Sequence, residues 1–365
     1  MGLYGAYSGF GGGQTAPPPP PETSWLTVKS GILGRWNPTM VSTTNYGTGV
    51  TSGNGFAMDG VNDDQILTWT VPAGMGGVIR FKVKGAAGGT HSGTWGAYYC
   101  QPGSGALVDV TYTLADGDVV AIVPGQRPTS TTSNGSLNGS GGGGGSFVYL
   151  YDPVTPSYTL IAAAGGGGGT GHGTQNQVTG GMGLGGSATT NSNEFGGSSS
   201  TNTGQVYNNY RTTNVWTAGS SGNNGIGLGG NATNNTTNYG RAGGGAGWNG
   251  DGDSYTADSG GDSKNDWRGG DGDSGWTNGG YGGGGGSHGT GNAAGGGGGY
   301  TGGGGGHGWQ DALGTYNSWG CGAGGGSWPT SLSDSANFLA ITAGVTAFGG
   351  VDTGTTDNGY IEILI

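Results

Sequence analysis

The chain has 365 residues, 97 of them glycine, with ten Lys or Arg against 21 Asp or Glu and a net charge of −11. So few cations, with no basic cluster, argue against nucleic acid and anionic membrane surfaces as partners. Two cysteines far apart, Cys100 and Cys321, exclude a disulfide framework and cysteine metal-ligand spacing. No apolar stretch approaches the ~20 residues that span a bilayer.

Residues 1–14 alternate glycine with aromatics, Tyr4, Tyr7 and Phe10, and five prolines follow, Pro17 to Pro21. A short aromatic peptide on a stiff extended spacer reads as a docking tail for another protein, with a disordered terminus as the alternative. The start carries no signal-peptide pattern. From Trp25 to Gly60 the pattern is irregular, a connecting region. Strands are expected next at Ile66–Val71 and Val78–Lys84, where Ile79, Phe81 and Val83 share one face and Arg80, Lys82 and Lys84 the other. Ala106–Leu114 repeats this alternation, with Val108, Val110, Tyr112 and Leu114 inward. Asp116-Gly117 is a hairpin turn into Val119–Val123. Phe147–Tyr151 and Tyr158–Ala163 form a second hairpin. In Tyr360–Ile365, residues Ile361, Ile363 and Ile365 face one way. The fold class is therefore all-β, an antiparallel sandwich or jelly roll.

Glycine fills 20 of the 30 residues from Gly279 to Gly308, with further runs at Gly141–Gly145, Gly165–Gly169, Gly243–Gly245 and Gly324–Gly326. Such runs read either as flexible linkers or as an ordered bundle of left-handed extended helices, polyglycine II, bonded chain to chain through their main chains. The last strand needs a sheet to return to. The glycine-rich part is thus expected as one large insertion, and closing its ends limits the entropy that ordering costs. The division is 1–22 docking tail and spacer, 23–60 connection, 61–163 β domain closed by 331–365, and 164–330 glycine-rich insertion.

The order VPAG (Val71–Gly74), VIRFKVKGAAGG (Val78–Gly89), VPGQ (Val123–Gln126), FVYLY (Phe147–Tyr151), LIAAAGGGGG (Leu160–Gly169) and GGVDTGTTDNGYIEILI (Gly349–Ile365) resembles the glycine-rich domain of phage tail-fibre and other virion proteins. It is similar also to the glycine-rich domain of the anaplastic lymphoma kinase receptor family, whose signal peptide, transmembrane span and kinase have no counterpart here. The resemblance covers about residues 66–365. It implies a small β domain joined to a polyglycine II bundle, a homo-oligomer, with a trimer favoured, and a place on a virion assembled in the host cytoplasm.

No residues carry a catalytic reading: the four histidines lack a paired carboxylate at motif spacing, and no nucleophile elbow or phosphate loop is present. No cofactor is implied. Asp251, Asp253, Asp271 and Asp273 are weak calcium candidates, with turn-forming Asp-Gly pairs as the other reading. The aromatics between glycine runs, Trp248, Trp267, Trp276, Trp309, Trp319, Tyr255 and Tyr281, are candidates for receptor contact, by stacking on sugars or anchoring in a protein pocket. The competing reading makes them cover for a glycine layer that has no side chains of its own. The function expected is a tail-fibre or fibre-tip adhesin for a host surface glycan or protein, joined to other virion proteins through its tail. A capsid decoration or scaffold protein, and a secreted glycine-rich ligand-binding module, are the alternatives.

Overall fold

The computed structural model describes residues 24–30, 54–58, 66–89, 102–128, 139–152, 154–155, 157–170, 242–254, 260–264, 266–272, 277–287, 293–306, 309–310, 316–318, 322–329, 335–342 and 358–365. Tyr4, Tyr7, Phe10, Tyr255, Asp273, Trp276 and Trp319 lie outside them, as does the proline spacer. Two antiparallel sheets of five strands each make the β part, and no α-helix occurs among the described residues. The first sheet runs β1 (Ser24–Lys29), β12 (Tyr360–Leu364), β4 (Gly77–Lys84), β5 (Leu107–Leu114), β11 (Phe338–Thr342). The second runs β2 (Phe56–Met58), β3 (Leu67–Thr70), β6 (Val119–Val123), β7 (Ser146–Asp152), β8 (Ser157–Ala164). A short pair, β9 (Trp309–Gln310) and β10 (Tyr316–Ser318), stands apart.

The alternation in β4 and β5 decides which side chains meet between the sheets. Ile79, Phe81 and Val83 of β4 and Val108, Val110 and Leu114 of β5 are buried against Val120 and Ile122 of β6 and Val148 of β7. Tyr112 is half-buried at the margin of this core. Ile361 and Ile363 join it, but Ile365 does not. It lies beyond the last residue of β12 and is 51% exposed, with no further ladder to hold it inward.

The region expected to be irregular supplies two strands. Along β1, Leu26 and Val28 are buried while Thr27 and Lys29 are exposed, and residues 27–29 pair with 360–362 of β12. Trp25 meets Trp69 at 5.4 Å and Phe56 at 6.1 Å between ring centroids. These three rings close one side of the sandwich.

At one end the strands do not turn back. β4 continues into 85–89, β6 into 124–128 and β8 into 165–170, while 102–106 leads into β5 and 139–145 into β7. These extensions join 242–247, 277–287, 293–306 and 322–327 in one array of main-chain hydrogen bonds. The array is therefore not confined to residues 164–330; the β part contributes several of its members.

The run 295–299 lies in the middle of this array. Its N–H groups donate in turn to Ser140, Gly243, Ala323, Gly143 and Ala246, at 2.8–3.1 Å, and Tyr300 continues to Gly326. The acceptor segment changes with every residue and returns at every third, so the main chain completes one turn in three residues rather than alternating as a strand does. Three other segments donate back: Gly166 and Gly169 to Gly298 and Gly295, Gly285 to Gly296, and Gly303 to Gly297. Six segments thus enclose this run: 139–145, 165–170, 242–247, 282–287, 301–306 and 322–327.

Such packing leaves no room for side chains. A methyl built on Gly296 would meet the Gly303 carbonyl, on Gly297 the Gly166 carbonyl, and on Gly298 the Gly282 carbonyl. These obstacles are main chain and cannot swing aside, which is the physical reason for unbroken glycine here.

Candidate functional site

The direction of each run follows from its register. Since β8 enters the array at Gly165, Thr170 is the end away from the sandwich. Gly166 and Gly169 bond to Gly298 and Gly295, so 293–299 runs back toward the sandwich. By the same reasoning 242–247 and 322–327 also run back, and 282–287 and 301–306 run out. Every turn at the sandwich end then carries an aromatic residue: Trp248, Trp267, Tyr281, Tyr300 and Trp328.

These turns land on the outer face of the second sheet. Ala121, Val123, Phe147, Tyr149 and Ala163 point that way, and Trp248, Trp267 and Tyr281 are buried against them. The Trp267 ring lies 4.1 Å from Phe147 and 6.0 Å from Trp248, and Trp248 meets Tyr149 edge-on at 5.2 Å. Trp328 pairs its main chain with Ala163 of β8, at 2.7 and 2.8 Å, and its ring lies 6.0 Å from Tyr300.

This placement corrects the expectation for Trp248, Trp267 and Tyr281 as receptor contacts. Their rings lie inside the molecule, where the second sheet needs cover on its second face: Trp267 is 0%, Tyr281 2% and Trp248 6% exposed, which leaves little ring area for a receptor. Trp267 adopts φ 60°, a conformation that side chains rarely take. Its carbonyl accepts from the N–H groups of both Gly282 and Gly283, whose φ values of 97° and 81° are open only to glycine. Trp267 Nε1 reaches Tyr149 Oη at 3.5 Å. Lys264 stands over this cluster, its Nζ 5.0 Å from the Trp248 ring and 5.8 Å from the Tyr158 ring, and donates to Asn249 Oδ1 at 2.9 Å. Partial burial lowers the Lys264 pKa from its ordinary value. Trp309 is placed only as the first residue of β9.

The opposite end of the array is finished by hydroxyls. Ser140 Oγ donates to the Gly89 carbonyl at 2.6 Å and lies 3.1 Å from Thr170 Oγ1. Thr277 Oγ1 donates to the Gly139 carbonyl at 2.8 Å and shares a hydrogen bond with Ser287 Oγ. These side chains satisfy main-chain groups where the glycine ladder stops. The described residues Gly89, Pro102, Pro128, Gly139, Thr170, Ala242, Gly272, Thr277, Ser287, Ala293, Gly306 and Gly322 all lie toward this end. The connections 90–101, 129–138, 171–241, 273–276, 288–292 and 307–321 leave and return at this end, while the aromatic turns join runs at the other.

The far end of the sandwich holds the start of β1 and the end of β12. Ser24 pairs with Leu364 while Lys29 pairs with Tyr360, next to the array. The first strand therefore begins at the pole opposite the hydroxyl-capped end. The outer face of the first sheet carries paired charge: Arg80 donates through Nε and Nη2 to Asp109 at 2.7 and 2.6 Å, and Lys82 lies 3.8 Å from Glu362. The hydrogen bonds to Asp109 raise the Arg80 pKa further.

Among the described residues, no group of three or more His, Cys, Asp or Glu is placed to hold a metal ion. Asp251 accepts the Ser263 N–H through Oδ1 at 2.8 Å, and Asp253 offers its main-chain carbonyl to Gly244. Asp271 and Asp253 are not brought together with a third ligand. Nor is any helix among the described residues long and apolar enough to cross a membrane. In comparisons with known proteins, no family model and no curated sequence matches the chain.

Proposed function

We propose that this chain is a virion structural protein, a tail-fibre or fibre-tip adhesin that binds a host surface glycan or protein with the end of its glycine array. In this reading the array is a polyglycine II bundle. The return of the hydrogen-bond acceptor at every third residue supports it, because that helix has about 3 residues per turn and outward-facing peptide groups. The adhesin reading rests on one observation, the polarity of the molecule. Aromatic turns fix one end of the array to the sandwich, and the longer connections leave from and return to the other. The N-terminal strand starts at the opposite pole, where a tail beginning with Tyr4, Tyr7 and Phe10 would reach a carrier protein.

Loops on a rigid support vary in sequence without disturbing the core. Trp276 and Trp319 belong in sequence to connections that start and end at the hydroxyl-capped end, and they remain proposed contacts. Several copies on one particle would add avidity to weak single contacts. The test is a map of the intact particle together with attachment of Trp276→Ala and Trp319→Ala variants to host cells. The adhesin reading expects the sandwich toward the particle, the array distal, and weakened attachment. An array lying flat on a shell, with attachment unchanged, favours a decoration protein instead.

A further inference from the structure

Gln126 lies in the segment 124–128 that carries β6 into the array. Its main chain is fully engaged: the N–H donates to the Tyr281 carbonyl at 2.8 Å and the carbonyl accepts from Gly144 at 3.0 Å. Its side chain is wholly buried, yet neither Oε1 nor Nε2 has a hydrogen-bond partner. The neighbours show no such deficit. Gly125 N–H donates to Ser146 Oγ at 2.9 Å, Arg127 N–H to Asn358 Oδ1 at 2.7 Å, and Arg127 Nε to the Gly88 carbonyl at 3.2 Å. Within the segment 124–128 the unmet demand is thus local to one amide.

Buried polar groups in folded proteins are almost always satisfied, and a lone amide that is not costs stability. The chemistry of the amide narrows the ligand. It offers an acceptor and a donor side by side. A cation would face the Nε2 hydrogens, an anion would face Oε1, and an apolar molecule would satisfy neither. A small neutral species that both donates and accepts fits, and water is the smallest. The structure assigns an internal water site to Gln126: the water donates to Oε1 and accepts from the N–H on the same edge of the amide. It is a built part of the junction, in the way the hydroxyls of Ser140 and Thr277 are at the other end of the array.

A crystal structure of the full chain, at a resolution where ordered waters refine, tests this. The expected result is a fully occupied water about 2.7–3.2 Å from Oε1 and Nε2; no density peak beside a well-ordered Gln126 amide overturns the assignment. A second measurement is the melting temperature of Gln126→Met, which keeps the side chain's length and removes the amide. With the water bound, the variant loses its hydrogen bonds and melts below the parent. A melting temperature at or above the parent's means the amide was an uncompensated burden, and the site is refuted.

Discussion

The sandwich and the glycine array are two cores of opposite construction. Between the sheets, side chains such as Phe81, Val110 and Ile363 exclude water and the main chain bonds only along its ladders. In the array the side chains are gone, and the main chain bonds in every direction around its axis. Their energetics differ accordingly. Burial of a large apolar side chain contributes about 1.5–3 kcal/mol. A main-chain hydrogen bond contributes a net ~0.5–1.5 kcal/mol, against about 1–2 kcal/mol to order each residue. The array does not close that gap alone. Strand ends clamp it on one side, and Trp248, Trp267 and Tyr281 add apolar burial at its turns. A core of this kind is rigid only while it is held from outside.

Adding a methyl should therefore harm the array more than removing one harms the sandwich. For Gly297→Val, the new side chain meets the Gly166 carbonyl and forces a neighbouring run away. We expect a loss beyond the ~1–3 kcal/mol of ordinary overpacking, read as a collapsed melting temperature and fast amide exchange at 295–299. Slow exchange preserved in those amides would erase the contrast.

Trp267→Ala is next. Truncating a buried Trp costs about 3–5 kcal/mol, and this one holds the turn that meets Gly282 and Gly283. Thermal melting should register the loss, whereas Trp276→Ala should leave the melt near that of the parent while reducing attachment. If Trp267→Ala melts like the parent, the aromatic turns are not what holds the array. Ile363→Val removes one methylene from the sandwich core and should cost about 0.5–1.5 kcal/mol, measured by denaturant unfolding.

The smallest effect concerns the β5–β6 turn. The Asp116 carboxylate accepts from the N–H groups of Gly74 at 2.8 Å and Gly76 at 2.7 Å, which hold its pKa below the usual range. Because the folded pKa is depressed, this contribution is complete above the unfolded value and disappears as pH falls through the folded one, that is, below about pH 4. Asp116→Asn should flatten the acid limb of the melting temperature and leave the array's exchange untouched. An unchanged acid limb would remove Asp116 from the account.

Much of the sandwich was legible because a half-buried strand writes its period into the sequence. In β4 and β5 the alternation of apolar and polar residues names the inward face, and Asp116-Gly117 marks the turn. β1 carries the same alternation in Trp25–Lys29, but six residues bounded by an irregular stretch gave too little context to separate it from a connection. The short β2 has hardly any period to read.

The sequence alone determined that glycine, and no larger residue, fills the runs, and that aromatics punctuate them. It did not determine which runs adjoin, since a residue without a side chain carries no mark of its neighbour, nor that 85–89 and 139–145 belong to the same array. The direction of the aromatic rings was likewise undecided. A Trp between two glycine runs reads the same at a loop tip or beneath a turn. Only the register of the runs, fixed by hydrogen bonds between segments far apart in the chain, placed Trp248, Trp267 and Tyr281 on the bare face of the second sheet. There the apolar surface of Phe147 and Tyr149 needed cover that glycine could not provide.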